Sequence, residues 1–93
     1  MQYATGMTVR IDTTTEDLKT VVSVAGRLEG PGVRELLRTC RSIAGEFVLD
    51  LSGVHAADPE GIEAIHKAVS GGAKLRGVSP FIRLLLDDQP ATD

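Results

Sequence analysis

Five side chains that could ligate a metal ion or transfer protons lie within twelve residues of one another. Two of them, a glutamate and a histidine three positions later, would share a helix face, which is the spacing of the Glu-x-x-His pairs in di-metal helical bundles. Such bundles need that pair twice with further carboxylates, whereas this chain has it once. We therefore predict a solvated helix face here and no metal site. The five residues are His55, Asp58, Glu60, Glu63 and His66.

Motifs that would indicate a nucleotide-binding loop or a nucleophilic enzyme do not occur in the sequence. Gly26, Gly30 and Gly32 precede a predicted helix in GRLEGPG, but their spacing does not fit G-x-G-x-x-G, and no G-K-[ST] follows. The G-x-S-x-G sequence of hydrolases is also absent. We therefore predict a turn and a helix start at these glycines, with no catalytic residue and no cofactor.

The composition indicates one small domain with an aliphatic core, because 42% of the residues are hydrophobic and only 3% are aromatic. The net charge of -3 lacks the basic excess that a nucleic-acid binder needs. No apolar run reaches the length of a membrane span and no signal peptide is evident, so we predict a cytoplasmic protein without membrane insertion. Cys40 is the single cysteine, and its place on an apolar helical stripe predicts a buried structural thiol.

The first half of the chain predicts a β-hairpin followed by a helix. Residues 7–12, MTVRID, alternate apolar and polar as an edge strand does, and the polar stretch TTTEDLK separates them from a β-branched run at 21–25. Pro31 suits the first turn of the helix, and Gly45 suits its end. Apolar residues spaced three and four apart should face inward from this helix; they are Val33, Leu36, Leu37, Cys40 and Ile43.

The next segment predicts a central strand and a second helix. Residues 47–51 are nearly all apolar, which is typical of a strand covered on both faces, and a six-residue loop, 52–57, should follow. Asp58 is the expected N-cap of the helix, with Pro59 at its first position. One side of this helix should face the core; it carries Ile62, Ile65 and Val69.

One more strand and helix complete the pattern. Residues 73–78, AKLRGV, predict a short strand, and Ser79 followed by Pro80 predicts the start of the third helix. The helix should end near Leu86, because two aspartates follow and oppose the helix dipole. The side chains expected to face the sheet from this helix are Phe81, Leu84 and Leu85.

These elements predict an α/β fold with the order β-β-α-β-α-β-α and a mixed sheet of about four strands. Right-handed crossovers would place parallel strands in the middle, with the N-terminal strand antiparallel at one side. We expect residues 1–93 to form a single domain, with loose tails at 1–6 and 88–93.

The start of the second helix is the most informative position in the sequence. In open α/β sheets, partners and ligands bind in the crevice beyond the carboxyl ends of the strands, where a helix N-terminus favours anions. Asp58 and Glu60 already place acid in that first turn, so a phosphate group would be repelled. Two interpretations stay open: a capped helix start with no further role, or the centre of a docking surface.

Three segments resemble, in order and spacing, the STAS family of anti-sigma factor antagonists. They are GRLEGPGVRELL (26–37), FVLDLSGVHAADPEGI (47–62) and GGAKLRGVSPFIRLLLD (71–87), and the resemblance spans residues 9–87. It is most specific at the LDLSGV strand followed by an Asp-x-x-Gly turn that opens a helix. The resemblance implies a STAS-like α/β fold and a cytoplasmic bacterial domain that docks on a protein partner, such as an anti-sigma factor kinase.

The resemblance also implies that the usual phosphorylation switch is missing. In phosphorylated members of the family the acceptor Ser or Thr directly follows the Asp of the turn, and here that position is Pro59. Proline has no hydroxyl, and Glu60 next to it carries a permanent negative charge. Another departure is Arg27, where an acid is common in the family. The residues expected to bind the partner are Arg27, Glu29, His55, Asp58, Pro59, Glu60 and Gly61.

Two alternatives to an anti-sigma factor antagonist stay open. Some relatives are small cytoplasmic subunits of lipid-transport ABC complexes, in which the same domain stabilises an ATPase. The crevice after the central strand could instead serve a ligand or nucleotide sensor, although acid at the helix start disfavours phosphates. The identity of the protein partner and self-association into a homodimer are not decided by the sequence.

Overall fold

A four-stranded mixed sheet carries three helices in the structure, a computed structural model that describes residues 9–88. The strands lie in the order β1-β2-β3-β4, with β1 antiparallel to β2 and the other neighbours parallel. The predicted element order and sheet type are therefore confirmed. The elements are β1 (Val9–Glu16), β2 (Lys19–Leu28), α1 (Pro31–Arg41), β3 (Phe47–Ala57), α2 (Pro59–Ser70), β4 (Ala73–Arg76) and α3 (Pro80–Asp88).

The hydrophobic core lies between one face of the sheet and the helices. Crossovers between parallel strands are right-handed, so successive crossovers in one direction across the sheet place α1 and α2 on the same face. All three helices contribute to one apolar cluster with alternate residues of the strands. Its fully buried members include Val22, Leu28, Leu36, Leu49, Leu51, Ile62, Ile65 and Ile82.

The β1–β2 hairpin is longer than the sequence predicts. The polar stretch TTTE, predicted as a connection, continues β1, and the two arms pair up to Glu16 and Lys19. The turn is only Asp17 and Leu18, both with positive φ. Threonine is β-branched and favours strands, so a polar but threonine-rich segment extends an edge strand.

The central strand β3 is also longer, and it is covered on one face. The predicted six-residue loop, 52–57, is strand, because it pairs with the end of β2 through two register shifts. The prediction of a strand covered on both faces is wrong: Phe47, Leu49 and Leu51 are buried in the core, whereas Asp50 is partly exposed and Ser52 is exposed. Burial along β3 therefore alternates with a period of two residues, although most of its first five residues are apolar.

The first helix ends four residues before Gly45, the predicted end. Arg41 is its last residue, and the Ser42 amide donates to the Arg38 carbonyl at 3.2 Å and to the Thr39 carbonyl at 3.1 Å. The Ser42 hydroxyl adds a bond of 2.7 Å to the Thr39 carbonyl, which satisfies an acceptor of the last turn. Cys40 is partly buried against the core, and this burial raises the pKa of its thiol.

The inward faces of α2 and α3 differ in part from the prediction. Val69 is 43% exposed, whereas Ala64 and Ala68 of the same helix are buried in the core. In α3, Phe81 and Leu84 are exposed, whereas Ile82 and Leu86 are buried and Leu85 is partly buried. The prediction that Phe81 and Leu84 face the sheet is wrong because helix periodicity alone leaves the rotation of a short helix undecided when apolar residues occupy most positions of its first two turns.

The third helix continues past Leu86 to Asp88, so the predicted end was too early. Leu86 is buried, and its carbonyl lies 3.1 Å from Nε2 of His66, which provides a side-chain partner for a carbonyl of the last turn. The predicted loose tails span 1–6 and 88–93, but Asp88 is the last residue of α3. Residues 1–6 and 89–93 lie outside the described residues. Over residues 9–88, no helix combines the length and the hydropathy that crossing a bilayer requires.

Replacement of Ile82 should test the observed rotation of α3. Ile82→Ala should lower the free energy of unfolding by about 2–5 kcal/mol, because Ile82 is 0% exposed and its removal leaves a cavity. Leu84 lies two positions further along the helix and is 68% exposed, so Leu84→Ala should change this free energy by less than about 0.5 kcal/mol. Urea unfolding followed by circular dichroism measures both values, and equal losses in the two variants would contradict this placement.

Candidate functional site

Segments 27–29 and 55–61, which carry the residues predicted to bind a partner, meet at one end of the sheet. The parallel strands β2 and β3 finish side by side, with Leu28 opposite Ala57, and α1 and α2 begin there. Glu29 and Asp58 directly follow the paired residues, so they lie at the same edge although 29 positions separate them. We call the side chains of Arg27, Glu29, His55, Asp58, Pro59 and Glu60 the strand-end surface.

Asp58 holds the start of α2 in place, and its prediction as the N-cap is confirmed. Its Oδ1 accepts a hydrogen bond from the Gly61 amide at 2.7 Å, and its carbonyl accepts from the Ile62 amide at 3.0 Å. Its own amide donates to the Leu28 carbonyl at 3.2 Å. The half-buried Asp58 therefore ties the helix to the end of β2 and has one carboxylate oxygen engaged internally.

Gly61 positions this site and offers no side chain to a partner. It is buried, and a Cβ built on it would overlap the Leu28 carbonyl oxygen and lie 3.1 Å from the Leu28 Cγ. It would also lie 3.3 Å from the Cβ of Ala57. Glycine thus lets the first turn of α2 approach both strand ends, so Gly61 acts through the placement of its exposed neighbours.

Arg27 and Glu29 form the β2 side of the surface. Both side chains are exposed, and the Nε of Arg27 lies 3.8 Å from Oε2 of Glu29, the long end of the range for an ion pair. The amide of Glu29 donates to the Arg27 carbonyl at 3.1 Å, which tightens the backbone between them. Gly30 then adopts φ 61° and ψ -137°, a conformation available almost only to glycine, and turns the chain into α1.

His55 is presented by a β-bulge. The register of β2 against β3 moves from Gly26 opposite Val54 to Arg27 opposite Ala56, so His55 is the extra residue of β3. Its side chain is exposed. Bulges re-aim side chains at the ends of sheets, and this one brings an imidazole to the same edge as Arg27.

Proline and acid leave the first turn of α2 poorly suited to binding an anion. Pro59 has no N–H, and the Gly61 amide is occupied by Asp58. The exposed carboxylate of Glu60 adds negative charge to the helix terminus, where it complements the dipole. A phosphate would therefore find few free donors and a repulsive charge, which argues against a nucleotide site here.

The acidic and histidine side chains of this region do not assemble into a metal site. Within residues 9–88, no group of three or more His, Cys, Asp or Glu side chains is arranged to hold a metal ion. His66 is partly buried with its ring nitrogen near the Leu86 carbonyl, whereas Glu63 is exposed on α2. His55 lies on β3, so the five residues that are close in the sequence lie in separate structural environments.

An ionic cluster on the outer face of the sheet, opposite the helices, was missed by the sequence analysis. Arg76 donates to Oδ2 of Asp50 at 2.8 Å and to Oε1 of Glu16 at 3.3 Å, which connects β4 with β3 and β1. The Ser52 hydroxyl and amide both donate to Oδ1 of Asp50, at 2.7 and 2.9 Å. The polar positions in the apolar run of β3, Asp50 and Ser52, were the signal that could have revealed this face.

Two solved structures show which fold this architecture is. An anti-sigma factor antagonist from Mycobacterium paratuberculosis superposes with a TM-score of 0.68 and 18% sequence identity, covering 86% of this chain and 78% of that one. An antisigma-factor antagonist STAS domain from Rhodobacter sphaeroides gives a TM-score of 0.60 at 18% identity, covering 74% and 86%. No family model and no curated protein matches the sequence. The chain therefore has the fold of STAS anti-sigma factor antagonist domains.

Substitution of Gly61 should test how closely α2 approaches β2. Gly61→Ala should lower the free energy of unfolding by about 1–3 kcal/mol, because the added methyl meets the backbone of Leu28. Gly71→Ala at the other end of α2 is the matched control, since its new methyl lies 3.6 Å from its nearest neighbours. It should be neutral or stabilising by up to about 1 kcal/mol in urea unfolding. A stabilised Gly61→Ala variant would contradict the close approach.

The Asp50 cluster predicts a loss of stability in acid. The Ser52 hydrogen bonds, with a further contribution from Arg76, hold the pKa of Asp50 below its usual value. A lowered pKa in the folded state means that the carboxylate stabilises the protein above its unfolded pKa, and that this contribution disappears as the pH falls through the folded pKa. The stability gap between wild type and Asp50→Asn should therefore shrink between about pH 5 and about pH 2.

Urea unfolding midpoints across that range measure this gap. Asp12→Asn is the control on the outer face, because among residues 9–88 the carboxylate of Asp12 forms an ion pair with Arg10 alone, at an exposed site. Its gap from wild type should be small throughout the range. A gap for Asp50→Asn that stays constant down to about pH 2 would contradict the role assigned to the cluster.

Proposed function

We propose that this chain is a non-catalytic docking module of the anti-sigma factor antagonist kind, which binds a protein partner through the strand-end surface. The observation that carries the proposal is the convergence of Arg27, Glu29, His55 and Glu60 at one edge of a fold shared with anti-sigma factor antagonists. All four side chains are exposed, whereas the backbone that holds them is hydrogen-bonded.

A rigid base for exposed charges favours recognition of a protein. The strand ends and the α2 start are joined by the Asp58 to Leu28 hydrogen bond, so little backbone freedom is lost when a partner binds. The surface combines one cation, Arg27, with three acids, Glu29, Asp58 and Glu60, and such mixed charge supports selection among partners. Arginine is also enriched among interface residues that contribute most to affinity.

The module should not be switched by phosphorylation at the start of α2. In the phosphorylated STAS proteins that the chain resembles, the acceptor hydroxyl follows the Asp of the turn, and Pro59 takes this position here. Pro59 is exposed, so the position itself is accessible and only the chemistry is missing. Phosphorylation would have introduced about -1.5 to -2 charges close to the helix terminus.

Glu60 supplies part of that charge permanently. Its carboxylate is exposed in the first turn of α2 and carries one negative charge and two acceptor oxygens. This is less than a phosphate offers, so Glu60 imitates the modified state incompletely. We infer a domain held in one binding state, which would assemble a complex constitutively within a bacterial signalling pathway of the cytoplasm.

A titration with an anti-sigma factor kinase of the source organism tests the docking surface. Arg27→Glu should weaken binding about tenfold or more in calorimetry, because it reverses the cationic position of the surface. Lys74→Glu is the matched control, since it makes the same change of charge at an exposed residue of β4, paired with Val48 near the opposite end of β3. Its affinity should stay within about threefold of wild type.

The same kinase with labelled ATP tests the missing switch. Wild type should incorporate no phosphate at this turn, and Pro59→Ser should become a substrate because it restores a hydroxyl at an exposed position. Phosphate incorporated at this turn of the wild-type protein would contradict the proposal that the domain is held in one binding state. Equal affinities of wild type, Arg27→Glu and Lys74→Glu for the kinase would contradict the proposed surface.

A further inference from the structure

Leu18 is the most exposed large apolar side chain that the structure describes. It lies at the tip of the β1–β2 hairpin with 98% of its surface accessible to solvent. Its φ is 69°, and that of Asp17 before it is 51°, so both residues of the turn are left-handed. Leucine therefore stands in a position that is unfavourable for its backbone and for its side chain at once.

The fold itself does not require leucine here. Two-residue hairpin turns with two positive φ angles favour Asn-Gly or Asp-Gly, because glycine and asparagine adopt the left-handed conformation readily. Aspartate fits the first position of this turn, but leucine does not fit the second. Strained residues that persist in a structure point to a role outside folding, and a fully exposed leucine points to an apolar contact with another molecule.

An apolar groove lies between α1 and α2 and has a volume of about 320 Å³. This volume falls within the range of sites that receive apolar groups, and the groove has room for an inserted leucine side chain. Its charged lining residues are both cationic, Arg41 near the end of α1 and Lys67 in the last turn of α2. The apolar lining consists of Leu37, Cys40, Ile43, Phe47 and Ala68.

The hairpin tip and the groove have opposite charge. Asp17 precedes Leu18 in the turn, and no residue between 9 and 88 forms an ion pair with its carboxylate. Arg41 and Lys67 flank an apolar floor in the same way that Asp17 flanks an apolar side chain. An inserted Leu18 would therefore bring a carboxylate to a cationic rim, which is the complementarity that orients two surfaces.

The tip and the groove also lie at the same end of the molecule. Lys19, the residue after the tip, and Phe47 line one depression, and Phe47 also lines the groove. When two copies are related by a two-fold axis, the hairpin tip of each copy can contact the groove of the other at the same time. Leu18 is almost fully exposed, so it does not occupy the groove of its own chain.

We propose that two copies of this chain form a symmetric dimer in which Leu18 of each copy inserts into the α1–α2 groove of the other. The dimer uses the end of the sheet where β3 begins, whereas the strand-end surface lies where β3 finishes. Self-association therefore goes beyond the proposed function and leaves both docking surfaces exposed. Partner binding and dimerisation depend on different residues, so an experiment can show the loss of one while the other is retained.

Sedimentation equilibrium of the purified full chain tests the dimer. Leu18→Asn should weaken dimerisation about 100-fold, because each buried leucine contributes about tenfold and the two-fold axis places two in the interface. Asparagine accepts the left-handed turn, so at protein concentrations low enough for both to be monomeric this variant should unfold at the same urea concentration as wild type or a higher one. Leu84→Asn on α3 is the matched control and should dimerise like wild type, since Leu84 is exposed outside the groove.

A charge exchange tests whether the groove receives the turn. Asp17→Lys and Lys67→Glu should each weaken dimerisation, and the two together should recover part of the lost affinity, because the opposite charges face each other again. A wild type that stays monomeric up to about 1 mM would overturn the proposal. So would a dimer that Leu18→Asn leaves intact, or a double variant weaker than the sum of the single effects.

Discussion

The hydrogen bond between the Asp58 amide and the Leu28 carbonyl fixes the position on which the candidate site depends. It joins the end of β2 to the start of α2, so residues separated in the sequence share one edge. Gly61 makes this bond compatible with a helix, because a side chain there would meet the same carbonyl. The strand-end surface is thus a consequence of one close approach between backbone segments.

The two faces of the sheet are stabilised by different interactions. The helices cover one face and bury aliphatic side chains, which supply the hydrophobic free energy of this small domain. The other face holds Arg76 between Asp50 and Glu16, and the side chains of this cluster are partly exposed. Exposed ion pairs contribute little to stability, so the outer cluster orders the strands while the helices stabilise them.

The two ends of the sheet differ in the kind of surface they present. Where β2 and β3 finish, charged side chains stand on a hydrogen-bonded base, which favours selective recognition. Where β3 begins, an apolar groove lies near an exposed leucine, which favours contact by burial of apolar surface. This separation would let one small domain hold two partners, or a partner and a second copy, without competition between the sites.

The sequence by itself determined the order of the elements and the start of α2, because these depend on local chemistry. Asp58, Pro59 and the acid of the first turn act within one helical turn, so their prediction needed no knowledge of distant residues. Other features depended on pairing. Residues 52–57 became strand because β2 lies beside them, and the bulge at His55 exists only in the register of two strands.

The tertiary structure alone decided the rotation of the helices and the long-range contacts. Val69, Phe81 and Leu84 had suitable spacing for the core, but the sheet accepted Ala68, Ile82 and Leu86 instead, since an apolar pattern does not fix which side of a helix finds room. The ion pair from Glu16 to Arg76 spans 60 positions and could not be read from either segment. Local interactions depend on residues that are neighbours in the sequence, whereas burial and strand pairing depend on how distant segments pack together.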